Sequence, residues 1–138
     1  MISPMLLLWI IWLSLPGSAV HAESLANDPR PAFAGASWVQ FYVREFPEGR
    51  LTYFYDASTV RRRGDILAAH WKVMGSPDPT ITFYSVEIEC RADRFTETGT
   101  VLIDAEGKAR DLPASELLAD QPIEPGTSSD IFRLTFCR

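Results

Sequence analysis

Residues 81–90 read Ile81-Thr82-Phe83-Tyr84-Ser85-Val86-Glu87-Ile88-Glu89-Cys90. Tyr84, Val86, Ile88 and Cys90 recur at every second position, opposite Ser85, Glu87 and Glu89. That is the period of a strand with one face in a core, and its parity turns Cys90 inward. The other cysteine of the sequence is Cys137, near its end. Two cysteines so far apart do not make a Cys-x-x-Cys redox pair, which would keep an exposed thiolate, nor a cysteine metal cluster. In an exported chain they read as one structural disulfide.

The same period continues on both sides. Upstream, Ile66 to Val73 places Leu67, Ala69, Trp71 and Val73 on a core face and Ala68, His70 and Lys72 on the other. Val39, Phe41 and Val43 alternate from Trp38 onward. Pro47, Glu48 and Gly49 then turn the chain into an aromatic strand, Leu51 to Tyr55. Asp56 ends that strand, its carboxylate placed to accept from amides near Ser58 and Thr59 and to point Val60 inward. Arg63, Gly64 and Asp65 reverse the chain.

Downstream, Pro77 and Pro79 mark a loop ahead of residue 81. Phe95 to Asp104 forms a further strand, with Phe95, Val101 and Ile103 expected on one kind of face and Gly99 as a bulge. Pro113 to Ala119 suits a short helix with proline in its first turn. Pro122 and Pro125 are expected to forbid regular structure until Gly126. From there Thr127 or Ser128 caps a final helix, Asp130 favours its positive end, and Ile131, Leu134 and Cys137 form an apolar stripe against the sheet. The expected fold is α+β, an antiparallel sheet of about five to six strands with a C-terminal helix packed on it and tied by Cys90–Cys137.

Residues 1–22 carry no charged side chain, run apolar from Met5 to Leu15 and end Val20-His21-Ala22. They read as a signal peptide cleaved after Ala22. An uncleaved anchor is the competing reading, because the run approaches the roughly 20 residues that span a bilayer. No cysteine stands at the cut to carry a lipid. Residues 23–37 shift to Ala, Pro, Gly, Ser, Asn and Asp without a hydrophobic period and form a flexible leader, which leaves residues 38–138 as one domain. Its location is exported: periplasmic, outer-surface or secreted. The net charge of −5 gives no electrostatic footprint for nucleic acid.

The order of landmarks carries a resemblance: Trp38-Val39, Tyr55-Asp56-Ala57-Ser58-Thr59-Val60-Arg61-Arg62, Gly64-Asp65, Trp71, Glu87-Ile88-Glu89-Cys90, Arg94-Phe95, Ile123-Glu124-Pro125-Gly126-Thr127 and Phe136-Cys137. Over Trp38 to Arg138 the chain resembles the surface-adhesin protein E family of small exported bacterial proteins. The resemblance implies an antiparallel sheet with a C-terminal helix fastened by the disulfide. For function it implies a non-enzymatic domain contacting host matrix or envelope macromolecules, a protein or a glycan.

The residues offer few chemical sites. Arg63-Gly64-Asp65 has the form that bridges an integrin's acidic pocket and metal ion, though a hairpin turn wants Gly and Asp for backbone reasons alone. Arg61, Arg62 and Arg63 together suit an anion or glycan contact, or else a solvated face. Trp38, Tyr42 and Tyr53 are the aromatic residues expected on a binding face of the sheet. His70 reads as a surface histidine, and Glu87 with Glu89 as solvent-facing charges. With no phosphate loop, nucleophile motif or metal-ligand cluster, neither enzymatic activity nor a cofactor is expected. The rival to an adhesin-like domain is a periplasmic accessory or structural envelope protein, and a third reading is a small-molecule binder with an apolar pocket between sheet and helix.

Overall fold

The computed structural model of the chain describes residues 36–138. The expected signal peptide, and all of the expected leader but Ala36 and Ser37, lie outside the described residues. The strands are β1 (Trp38–Phe46), β2 (Gly49–Asp56), β3 (Arg61–Arg63), β4 (Ile66–Ser76), β5 (Ile81–Glu89), β6 (Arg94–Ile103), β7 (Ala109–Asp111) and β8 (Gln121–Pro122), and the helix α1 is Ser128–Phe136. They pair antiparallel in the order β1-β2-β4-β5-β6-β7, with β3 on β4 and β8 on β6. The sheet is thus larger than the alternation predicts. The additional strands, β3, β7 and β8, hold two or three residues each, too few to show a period of two.

The main core cluster lies on one face of this sheet, with Phe83 and Ile103 buried on the other. Leu67, Ala69 and Trp71 of β4 and Val86 and Ile88 of β5 are buried together, with Phe132 of α1 set against them. Full burial of an aliphatic side chain of that size stabilises by roughly 1.5–3 kcal/mol. The sheet curls around the helix as a half-barrel. Neighbouring strands lie about 4.8 Å apart, so a flat sheet would hold β1 and β4 about 10 Å apart. The Phe41 and Trp71 rings on those strands nevertheless come within 5.2 Å of each other.

Two bulges decide which side chains share the concave face. In β1 the register steps from Gln40↔Phe54 to Tyr42↔Tyr53, leaving Phe41 as the extra residue. Alternation across β1 is thereby broken: Phe41 enters the core cluster while Val39 and Val43 are exposed. In β6 the step falls between the pairs Ser85↔Gly99 and Val86↔Glu97, so the extra residue is Thr98. The single face expected for Phe95, Val101 and Ile103 is therefore corrected. Phe95 pairs with Ile88 on the concave side, whereas Val101 pairs with Phe83 on the convex side.

The C-terminal segment also departs from expectation. Pro113 leads into a 3-10 turn, Ala114–Glu116, rather than a helix. Pro122 does not forbid regular structure, because as an edge residue of β8 its missing N–H is not needed by the ladder, and it pairs with Arg94. Thr127 caps α1 as expected, its hydroxyl accepting from the Asp130 amide at 3.3 Å. The apolar stripe is rotated, however. Phe132 is buried while Leu134 is half-exposed, because the aromatic pair Phe132 and Phe136 at i, i+4 carries more apolar area to the sheet. Cys137 lies past the helical turns as the C-cap, which lets its sulfur reach Cys90 independently of that stripe.

The disulfide joins Cys90 and Cys137 with Cα atoms 5.5 Å apart. It points to an oxidising, non-cytoplasmic compartment. Among the described residues no helix is long and apolar enough to cross a membrane.

Candidate functional site

A cavity of about 360 Å³ opens between the concave face and the start of α1. Its floor is aromatic because successive concave positions of neighbouring strands carry rings: Tyr53 on β2, Trp71 on β4, Tyr84 on β5 and Phe95 on β6. Trp71 stacks on Phe95 at 5.7 Å with 26° between the planes. The segment from Leu118 to Ser129 forms the opposite wall. That wall is held by the Glu97 amide donating to the Leu118 carbonyl at 2.7 Å and the Ile123 amide donating to the Asp93 carbonyl at 2.9 Å.

Glu97 brings a carboxylate to this aromatic floor. The Thr98 bulge leaves Glu97 on the concave side, paired with Val86, and its Oε2 accepts from Thr100 Oγ1 at 3.2 Å. Burial pushes the Tyr84 phenol up to about 12, with the charge of Glu97 and then Tyr53 adding to it. Burial raises Tyr53 as well, against the opposing effect of Arg44. Both phenols are therefore neutral hydrogen-bonding groups at neutral pH. Trp71 Nε1 is buried without a hydrogen-bond partner, an uncommon state for an indole in a core.

The residues singled out by the sequence do not form one site. Tyr42 and Tyr53 meet edge to face at 5.3 Å on the concave side, and Tyr53 lines the cavity. Trp38 lies on the convex side instead, 6.0 Å from Phe83, with the Lys72 ammonium 4.7 Å above its ring. The Phe41 bulge separates Trp38 from Tyr42 by reversing parity between them. The arginines divide too. Arg61 and Arg63 pair with Ala68 and Ile66, and Arg62 alternates between them opposite Leu67. Arg62 Nε donates to the Gly64 carbonyl at 3.0 Å, and its Nη1 reaches the Arg138 carbonyl at 3.3 Å, so it bridges the β3–β4 turn to the end of the chain.

Arg63-Gly64-Asp65 makes that turn, Gly64 adopting a φ of 58°, a left-handed conformation that favours glycine. Asp65 ion-pairs with Arg91 at 3.3 Å, and its carbonyl accepts from the Cys90 amide at 2.8 Å. Half-buried His70 lies opposite Ser85 on the convex side, and Glu87 and Glu89 are exposed there. Among the described residues no group of three or more His, Cys, Asp or Glu is placed to hold a metal ion.

Sequence reasoning missed Glu97, Phe95 and Tyr84 as site residues. A signal existed for the first two: Phe95 and Glu97 are two apart, so a carboxylate shares the inward face of an aromatic residue. Comparisons with family models, with curated proteins and with solved structures each find no match to the chain.

Proposed function

We propose that the chain is an exported, non-enzymatic binding domain, similar to surface-adhesin protein E, that engages a surface or envelope macromolecule through the cavity between its sheet and α1. The observation that supports this reading is the cavity itself, a concave recess with an aromatic floor, a mainly polar opposite wall and one inward carboxylate. Aromatic surface combined with placed polar groups is common in recognition sites. A cavity this small takes a projecting group, a side chain or headgroup, and the exposed rim contacts the surface that bears it.

The test uses Leu118, which is half-exposed at the rim, so that Leu118→Trp obstructs the mouth without touching the core. Purified mature protein is titrated onto matrix proteins and onto isolated envelope material. Saturable binding that weakens about tenfold or more in the variant, a loss of about 1.4 kcal/mol, supports the reading. Equal binding by the variant overturns the role of the cavity, and no saturable binding to either material overturns the binding-domain reading. Cell fractionation separates a surface role from that of a periplasmic accessory protein.

A further inference from the structure

Resting on that reading, we infer that the cavity receives a small N-methylated ammonium group, held over the rings of Tyr53, Tyr84 and Phe95 and neutralised by Glu97. The faces of such rings attract a cation within about 6 Å of their centres. Tyr53, Tyr84 and Phe95 supply the ring faces of the floor, and Trp71, buried in the core and stacked on Phe95, gives them a fixed base.

Charge points the same way. Two carboxylates line the cavity, Glu97 within and Glu124 at the rim, and no lysine or arginine does. Among the described residues, Thr100 Oγ1 supplies the side-chain hydrogen bond to the Glu97 carboxylate, at Oε2, which leaves Oε1 for a ligand's charge. Burial holds the adjacent phenol of Tyr84 neutral well above physiological pH, so it adds a ring face rather than a second anion.

The start of α1 also borders the cavity, and a helix N-terminus ordinarily favours an anion. Here that end already carries an acidic side chain, Asp130, in its first turn. Asp130 Oδ2 accepts from the Gly126 amide at 2.9 Å, and Oδ1 is bonded by Arg133 at 2.8 Å. An anionic ligand would meet the carboxylates of Glu97 and Glu124 along the cavity and that of Asp130 at the helix start. The rings favour a methylated ammonium, whose methyl groups lie against ring faces and need no acceptors, over a primary one, whose three N–H groups do.

The same group occurs in free small molecules and in phosphocholine headgroups, and the experiment distinguishes them. Tetramethylammonium and choline are titrated calorimetrically into the intact mature protein beside 3,3-dimethylbutan-1-ol, the neutral isostere of choline. The Glu97→Gln variant, checked for unchanged circular dichroism, is titrated in parallel. Saturable binding of both cations is expected, with the isostere and the variant each weaker by about tenfold or more. Co-sedimentation with dioleoylphosphatidylcholine vesicles but not with dioleoylphosphatidylglycerol vesicles assigns the headgroup, and binding of the soluble cations alone assigns the free ligand. Equal binding of the isostere, or undiminished binding in Glu97→Gln, overturns the cation assignment and leaves an apolar site. No binding of either cation also overturns it, while the Leu118→Trp assay judges the binding-domain reading separately.

Discussion

Reducing the Cys90–Cys137 bond should destabilise the domain by about 4 kcal/mol through chain entropy. The cysteines are 47 residues apart, and closing a loop of that length removes about 14 cal/mol/K from the unfolded ensemble, which gives that figure at 25 °C. Domains of this size are stable by only about 5–15 kcal/mol, so the loss is a large fraction of the total. The helix would suffer first: α1 has nine residues, well short of the roughly 12–15 that are marginally helical alone. The assay is urea unfolding followed by tryptophan fluorescence, comparing oxidised protein with the same protein in dithiothreitol. This comparison keeps both sulfurs in the core and changes the cross-link alone. A difference below about 1 kcal/mol would refute the reasoning, as would free thiols in protein recovered from its own compartment. Because α1 and the segment before it wall the cavity, ligand affinity should fall in reductant before the sheet unfolds.

Phe132→Ala should cost about 3–5 kcal/mol in the same unfolding assay, since the ring is buried against Phe41, Tyr55, Trp71 and Phe136 at 4.7–5.5 Å. Leu134→Ala, on the open side of the helix, should cost under about 1 kcal/mol, and the reverse ranking would restore the stripe through Ile131 and Leu134. Asp56→Ala should cost about 3 kcal/mol, because the carboxylate accepts from the Ser37 amide and from both the amide and hydroxyl of Ser58. Burial raises the Asp56 carboxyl, but these hydrogen bonds outweigh it and hold the group below the usual carboxylate range. Its contribution is therefore complete above the unfolded value of about 3.9 and disappears as pH falls through the folded value; Asp56→Asn should flatten that part of the stability profile. At alkaline pH the sign is reversed: Tyr84 is raised to about 12, so its contribution is full below the unfolded value of about 10 and is lost as pH rises through the folded one. Tyr84→Phe should remove the latest phase of an ultraviolet tyrosine titration, and an unchanged trace would contradict the burial of that phenol.

Much of the fold is legible in β4 and β5, where uninterrupted alternation assigns Leu67, Ala69, Trp71, Val86 and Ile88 to the core. The turn at Asp56, the Thr127 cap and the inward Cys90 are equally local, so residue type and spacing suffice for them. Bulges are different. An extra residue at Phe41 or Thr98 changes no composition, yet it reverses parity for everything beyond it. This is why Trp38 parts from Tyr42, and Val101 from Phe95. The α1 stripe is ambiguous for another reason: 131 and 134 compete with 132 and 136, and only the aromatic surface facing the helix decides between them. The cavity is least legible, because its floor and wall join residues from Tyr53 to Ser129 and its charge depends on where a bulge falls.

The sheet has a consequence for the order in which the chain folds. β1 with β2, β4 with β5 and β5 with β6 are each joined to a neighbour by a short reversal, so their contacts form between segments close in sequence. Such contacts close small loops and form early. The meeting of Phe41 with Phe132 spans almost the whole domain and waits for α1 to be made. During vectorial synthesis the concave aromatic face is thus left uncovered until α1 arrives. That interval is when the protein is most exposed to aggregation and most dependent on a holding chaperone.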